Sequence, residues 1–424
     1  DVSFIFDELQ SDDNRKKIAV TTSNKITQCY VEIERWNDTA EEAWLWVKVP
    51  VVNSTVDTDL YLYYDRDHAD NTAYVGDTNS AAAENVWDAD FKGVWHLPED
   101  PSGTPPQIRD STSNNNDGTS ESSMTPNDQV PGKIDGSLEF DNVDDYVDME
   151  DPSSLNMGTS NFTIEAWVKL NASTTENWPT IVDKGAGSPT EPGYWFFWYH
   201  SYTPPFIRLT ISNGTQRIEV DDQDTDVEDG SWYYVVGVVD RGANGTIYVN
   251  GSLTATEDFS SFEGSIDAAY NFTLSCATDD RAVWDGVLDE VRVSKTVRNA
   301  SWIKVSYESE RDDLVDFGTE ENGVLYDFRY YSDWVGSRTE EGSELNVGES
   351  PLGEWRSSYE LTSGSPGTWG LKVFEAGTTT LRATCTFTVQ AVPEFPHGAV
   401  VVLIAGFAIF LAKRKTLKRR GTEP

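Results

Sequence analysis

Short strand-length runs broken by turn residues limit this chain's folding choices more than any other feature. Ala43-Trp44-Leu45-Trp46-Val47-Lys48-Val49, Leu60-Tyr61-Leu62-Tyr63-Tyr64, Phe162 to Val168, Ile207 to Ile211, Tyr233 to Val239 and Thr246 to Val249 are all compact and rich in aromatic and β-branched residues. Gly, Asn, Asp and Pro clusters separate them, as turns require. Asn250-Gly251, just after one such run, is a strong hairpin signal. No long stretch outside Gly398–Ala412 keeps a helical period. An all-β fold of tandem antiparallel β-sandwiches is therefore expected, plus one C-terminal transmembrane helix.

A length of 424 residues suits two to four domains. With 32 Lys+Arg against 72 Asp+Glu, the net charge is −40. No basic face is available for a phosphate backbone, so nucleic acid is excluded as a partner. Aromatic residues make up 12% of the chain, including 15 Trp, enough for ordered cores. Cys29, Cys276 and Cys385 are too few and too scattered for a disulfide framework or a thiolate metal site.

The charge is uneven. Lys413, Arg414, Lys415, Lys418, Arg419 and Arg420 follow directly on the uncharged stretch Gly398–Ala412. An apolar segment with a basic cluster behind it marks a membrane anchor with its basic side inside, leaving the acidic body on the extracellular face. Fifteen residues is short against the roughly 20 a spanning helix needs. Just upstream lies Val392-Pro393-Glu394-Phe395-Pro396. Together these parts resemble the C-terminal sorting signals of archaeal and some bacterial surface proteins. The resemblance implies recognition by an archaeosortase- or exosortase-like processing enzyme, removal of the helix and attachment to lipid. A plain single-pass anchor is the alternative. An outward-facing protein needs an export signal, so an N-terminal segment is expected before Asp1.

Asn-x-Ser/Thr triplets occur at Asn37, Asn53, Asn161, Asn171, Asn213, Asn244, Asn250, Asn271 and Asn299. About four would arise by chance. In an exported protein these are expected glycan acceptors on the surface.

Four segments follow. Residues 1–84 resemble the back part of an uncharacterised β-sandwich module that precedes laminin-G-like domains in microbial surface proteins. Residues 87–320 carry Asp110-Ser-Thr-Ser-Asn-Asn-Asn-Asp-Gly118, Gly136 to Val147, Phe162 to Val168, Ile247-Tyr-Val-Asn-Gly251 and Gly286 to Val293 in that order. The succession resembles the laminin-G type, concanavalin A-like jelly roll. That fold serves lectins, adhesion modules and glucanases alike. Residues 323–390 suit a small immunoglobulin-like stalk, and 392–420 hold the sorting motif, helix and basic tail.

Three constellations could carry chemistry. Asp110, Asn114, Asn116 and Asp117 crowd oxygen ligands into one turn, as calcium sites do, or are simply solvated turn residues. The laminin-G resemblance implies a structural calcium joining Asp110 to Asp289. Glu139, Asp141 and Asp144 echo the catalytic strand of laminarinase-type glycoside hydrolases. Asp144 stands where those enzymes have Glu, and the surrounding residues match the structural strand of laminin-G modules, so no enzyme is expected. The aromatic run Tyr194 to Tyr199 splits on a strand into Tyr194/Phe196/Trp198 and Trp195/Phe197/Tyr199. One set enters the core. The other lines the far face of the sheet, where related lectins present aromatics to sugars. The sequence leaves open which set faces out, so Trp195, Trp198 and Tyr199 are the candidate ligand contacts, with Trp178 beside them. His96 stands alone in sequence and is expected to be structural.

The reading that follows is a non-catalytic surface protein that binds carbohydrate or an envelope protein through its jelly roll. The rival is a glycosylated structural spacer in the envelope.

Overall fold

The computed structural model describes residues 3–121, 123–171, 178–185, 191–200, 205–223, 225–276 and 282–318, and the backbone of four later strands. The described chain is almost entirely antiparallel β-structure. Two large sheets face each other. One runs in the order Ser252–Asp258, Asn244–Val249, Tyr233–Val239, Phe162–Leu170, Asp285–Ser294, Gly136–Asp141, Gln129–Pro131. The other runs Arg217–Asp222, Phe206–Asn213, Pro192–Tyr199, Thr180–Gly185, Thr273–Leu274, Val147–Asp148, Thr119–Ser120.

Asp285–Ser294 is the hub of the first sheet. It pairs with Phe162–Leu170 along one edge. Along the other, its first half pairs with Gly136–Asp141 and its second half with Phe91–Trp95. Pairing on both sides requires two buried faces. Leu288, Val291 and Val293 enter the main core. The switch from even to odd positions comes from a bulge: the register shifts opposite Ala166, and Glu290 takes a φ of 52°. A bulge re-aims the side chains around it. Here it leaves Asp289, Glu290 and Arg292 together on the side away from the core.

The main core lies between the sheets. Phe162 meets Tyr194 at 5.1 Å and Trp95 stacks on Phe272 at 5.3 Å, so aromatic pairs bridge the two layers. Leu138, Phe140, Ile164, Phe196, Trp198, Leu209 and Trp284 fill the rest. Each large side chain buried this way contributes about 1.5–3 kcal/mol. The Asn250-Gly251 hairpin joins Asn244–Val249 to Ser252–Asp258, with φ values of 50° and 74°. Positive φ at both central residues is what such a tight turn needs.

A smaller cluster covers the outer face of the first sheet: Trp167, Tyr234, Val236, Val238 and Ile303. Ile303 belongs to helix Ala300–Glu310, an element that the sequence reading does not anticipate. Its signal is local. Asn299 Oδ1 accepts from Trp302 N at 2.9 Å, capping the first turn.

The N-terminal region contributes a three-stranded sheet in the order Glu42–Val47, Val31–Asn37, Val75–Asp77, the last pair parallel. Residues 1–19, 29–51 and 64–317 fall in one compact unit. Residues 20–28, 52–63 and the four later strands fall in a second unit. Within it, Thr339–Val347, Tyr326–Ser332, Gly367–Glu375 and Leu381–Val389 make a four-stranded antiparallel sheet in that order.

No helix among the described residues is long and apolar enough to cross a membrane. Gly398–Ala412 and the Pro393-Glu394-Phe395 motif lie outside the described residues. Cys29 and Cys276 are buried, and neither forms a disulfide among the described residues.

Gly286 tests the hub. Its φ is 144°, and a Cβ there would collide with the Lys169 carbonyl of the neighbouring strand. Gly286→Ala is expected to cost on the order of 2 kcal/mol and lower the melting temperature by several degrees. A thermal melt indistinguishable from wild type would contradict the packing described.

Candidate binding face and a buried ionic network

Strand parity decides the aromatic run. Tyr194, Phe196 and Trp198 point into the core, opposite Ile211, Leu209 and Ile207. Trp195, Phe197 and Tyr199 therefore lie on the far face of the seven-stranded sheet, opposite Thr210, Arg208 and Phe206. This corrects Trp198 as a ligand contact: it is fully buried, and its Nε1 donates to Glu228 Oε1 at 2.7 Å. Trp195 is on the outward side but only 6% exposed. Its Nε1 and the facing Thr210 Oγ1 are buried without partners. Phe197 and Tyr199 are half-buried.

Around Tyr199 the face is both aromatic and charged. Tyr199 stacks on Phe206 with ring centres 5.1 Å apart and planes 5° apart. Trp178, 44% exposed, lies 6.2 Å from the Tyr199 ring. The Arg208 guanidinium sits 5.0 Å from the centres of both Tyr199 and Phe206. Asp221 holds it at two points, Nε–Oδ1 at 2.6 Å and Nη2–Oδ2 at 2.7 Å, and Glu219 adds a third contact at 2.9 Å. The fork geometry fixes the guanidinium plane. His200 pairs with Glu228 at 2.5 Å at the end of the same strand.

The calcium expectation meets a different arrangement. Asp110 is fully buried. Its Oδ1 accepts from the amides of Val94 at 3.1 Å and Thr112 at 2.9 Å. Its Oδ2 accepts from Asn116 N at 2.8 Å and Thr112 Oγ1 at 3.0 Å. Four donors surround the carboxylate, the reverse of a cation's needs, so Asp110 is the organiser of its own loop. Asn116 Nδ2 and Asn114 Nδ2 donate to backbone carbonyls of Lys92 and Phe91, and Asp117 pairs with Arg109 at 2.7 Å. Asp289 Oδ2 accepts from the amides of Lys133 and Ile134 at 2.7 and 2.9 Å. Neither Asp110 nor Asp289 joins a cation-sized group of three ligands among the described residues. This donor set does not fit a calcium joining the two.

Of the acceptor asparagines, Asn53, Asn171, Asn244 and Asn299 are exposed, and Asn37, Asn161, Asn213, Asn250 and Asn271 are half-buried. The Nδ2 groups of Asn171, Asn213 and Asn271 already donate to protein oxygens. Glu139 is half-buried while Asp141 and Asp144 are exposed. Asp141 Oδ1 accepts from Val143 N at 2.8 Å, closing a turn.

Sequence reasoning missed the most unusual feature. On the outer side of the hub, six carboxyl groups are buried with two cationic side chains. Glu32 accepts from Ser111 Oγ, Thr78 Oγ1 and Trp87 Nε1 at 2.7–2.8 Å. Glu34 Oε2 accepts from Trp46 Nε1 at 2.7 Å. Glu290 bridges His96 Nδ1 at 2.8 Å and Arg292 Nη2 at 2.7 Å. Arg292 Nη1 reaches Glu310 at 2.6 Å, and Glu310 accepts from Trp167 Nε1 at 2.7 Å. Glu165 accepts from Tyr234 Oη at 2.5 Å, and Asp289 completes the six. Trp46 stacks on the His96 ring at 5.3 Å and lies beneath Arg292 at 4.6 Å. Five separate chain segments meet here. The Glu32-Ile33-Glu34 alternation on a strand was the one available signal, since both carboxylates must share a face.

Charge crowding shows in the proton affinities. Burial opposes charge on His96, but Glu290, Glu34 and Glu32 override it and hold the imidazole well above its usual value. Burial pushes Glu34 up to about 8, and lifts Asp289 well above the carboxylate range with help from Glu290. Burial would raise Glu32 and Glu290 too, yet facing His96 keeps both below their ordinary value.

The family match belongs with this geometry. Residues 140–304 match the model of the concanavalin A-like lectin/glucanases superfamily. Over that stretch the sandwich resembles a jelly roll. Among curated proteins, none matches the chain in sequence. Solved structures resemble it only distantly. The binding domain of Paraclostridial Mosquitocidal Protein 1 is 12% identical at a TM-score of 0.41. That likeness covers 68% of this chain and 64% of the other, so the chain spans less than two thirds of that domain. Domain 4 of the extracellular arabinanase AbnA from Geobacillus stearothermophilus, solved with arabinotriose, is 19% identical at 0.32, covering 42% and 78%. A heptameric pentraxin from Limulus polyphemus is 17% identical at 0.29, covering 35% and 70%. Likenesses this distant support no statement about what the chain binds.

Glu165 supplies a pH test. Burial lifts its carboxyl to about 7, opposed by Arg292 and by the Tyr234 hydroxyl, with Glu310 adding to the rise and Arg298 opposing it. A raised folded-state value means that its contribution is complete below the ordinary 4.5 and is lost as pH climbs through about 7. Glu165→Gln keeps the shape without the ionisation. It is expected to leave urea stability unchanged near pH 4.5 and to add about 1–3 kcal/mol at pH 8. An equal difference at both pH values would contradict the assignment.

Proposed function

We propose that this chain is a non-catalytic, surface-tethered binding protein, and that the jelly roll recognises saccharide rings on the outer face of its seven-stranded sheet. The observation that carries the reading is the cluster of Trp178, Tyr199 and Arg208. Trp178 offers an exposed indole, Tyr199 a half-buried ring, and Arg208 a guanidinium fixed by Asp221 and Glu219 beside them. Sugars present apolar C–H faces ringed by hydroxyls. A flat ring beside immobilised donors and acceptors complements both parts of that surface. Because Asp221 fixes the guanidinium before any ligand arrives, little ordering entropy is lost on binding.

The tethering part rests on the tail. Pro393-Glu394-Phe395, the uncharged stretch 398–412 and the basic end support attachment at the outer membrane face, after processing by a sortase-like enzyme. The excess of acceptor triplets fits the same compartment. A protein partner in the envelope would use the same aromatic face.

A glycan array probed with the intact protein tests the reading. Binding to a defined saccharide class is expected, with Trp178→Ala and Tyr199→Ala each weakening it at least about tenfold. Trp178 is exposed, so its loss leaves the fold intact. Silence of the wild-type protein across the array, or binding untouched by both changes, would sink the proposal and favour the spacer role.

A further inference from the structure

The buried network contains an arrangement that the binding proposal does not use. One carboxylate oxygen from each of Glu34 and Glu290 and one ring nitrogen of His96 lie within 4.8 Å of one another. His96 Nδ1 is 2.8 Å from Glu290 Oε1 and 3.7 Å from Glu34 Oε2. Glu34 Oε1 is buried here without a hydrogen-bond partner, whereas His96 Nε2 faces Glu32 Oε1 at 3.5 Å. The Glu34 side chain is 1% exposed and that of His96 2%. Buried polar groups are normally satisfied, so an unpaired carboxylate oxygen at a converging cluster points to a missing partner.

We propose that Glu34, His96 and Glu290 bind one divalent cation of the zinc class, with His96 Nδ1 as the nitrogen ligand. Three features select that class. First, zinc bonds of about 2.0–2.2 Å put tetrahedral ligand atoms roughly 3.3–3.6 Å apart, a spacing that the observed 2.8 and 3.7 Å straddle. Second, an imidazole ligand suits zinc and its neighbours, whereas calcium takes six to eight oxygens. Third, the ring's other nitrogen faces Glu32 Oε1 at 3.5 Å, the carboxylate–histidine pairing that fixes ring orientation in metal sites. Glu32 itself is held by Ser111, Thr78 and Trp87, so this support is rigid.

Charge argues the same way. Glu32, Glu34, Glu165, Asp289, Glu290 and Glu310 lie around the buried cations Arg292 and His96. A divalent cation at the centre would compensate carboxylate charge that burial otherwise makes costly. A cleft of about 440 Å³ has Glu34 among its lining residues, with Asp12, Arg15, Ile33, Arg35, Asp77 and Thr78.

The intact protein, stripped with chelator and then titrated with Zn²⁺ alone, tests this. Expected are one tight equivalent, a melting temperature several degrees higher, and tetrahedral visible bands when Co²⁺ replaces Zn²⁺. Glu34→Gln preserves shape and is expected to weaken Zn²⁺ binding at least about tenfold, as is His96→Gln. Should either variant fail to fold, the Co²⁺ spectrum of the wild-type protein decides, because surface carboxylates give no tetrahedral bands. A wild-type melt that ignores Zn²⁺, absence of those bands, or equal Zn²⁺ responses in wild type and folded variants would overturn the proposal and leave protons alone to balance the cluster.

Discussion

The rest of the structure depends on how so many carboxylates can be buried on one side of a sheet. Arg292 is the centre of the answer. It pairs with Glu290 and Glu310 and is covered by the rings of Trp46 and Trp87. Strand Val31–Asn37 brings Glu32 and Glu34, the end of Phe91–Trp95 leads into His96, and helix Ala300–Glu310 brings Glu310. The N-terminal strands and the late helix thus share one charged seam with the sandwich. Removing one partner from such a seam strands another charge and costs far more than a surface pair would. The bulge at Glu290 makes the seam possible, because without it alternate residues of the hub strand would turn Glu290 or Arg292 into the apolar core.

The two sheets consequently divide their work. The outer face of the eight-stranded sheet is occupied by the seam and by the cluster around Trp167 and Tyr234. The outer face of the seven-stranded sheet keeps Trp178, Phe197, Tyr199 and Arg208 at least partly in contact with solvent. The proposed binding is assigned to the second face because the first is already covered.

Much of the fold could be read from residue order. Strand positions follow from β-branched and aromatic runs, and the Asn250-Gly251 turn from its need for positive φ. Residues 140–304 match the same fold class that the ordered blocks suggest. The aromatic run shows where such reading stops. Period-two alternation yields two sets of rings, but only the partner strand fixes which set meets Leu209 and Ile211. Asp110 shows a second limit. A turn rich in oxygens looks like a cation site until backbone amides are seen to fill it. The seam was invisible for a third reason: its members are up to 278 residues apart, from Glu32 to Glu310, and a lone His96 carries no sign of three carboxylates around it.

Native-state hydrogen exchange of the intact protein addresses the central claim most directly, namely that the charged seam makes the N-terminal strands and the sandwich one cooperative unit. Amides of Val31 and Ile33 are then expected to open with the same free energy as those of Phe162–Leu170. Exchange of 31–37 at a distinctly lower free energy, with the sandwich still protected, would contradict the account.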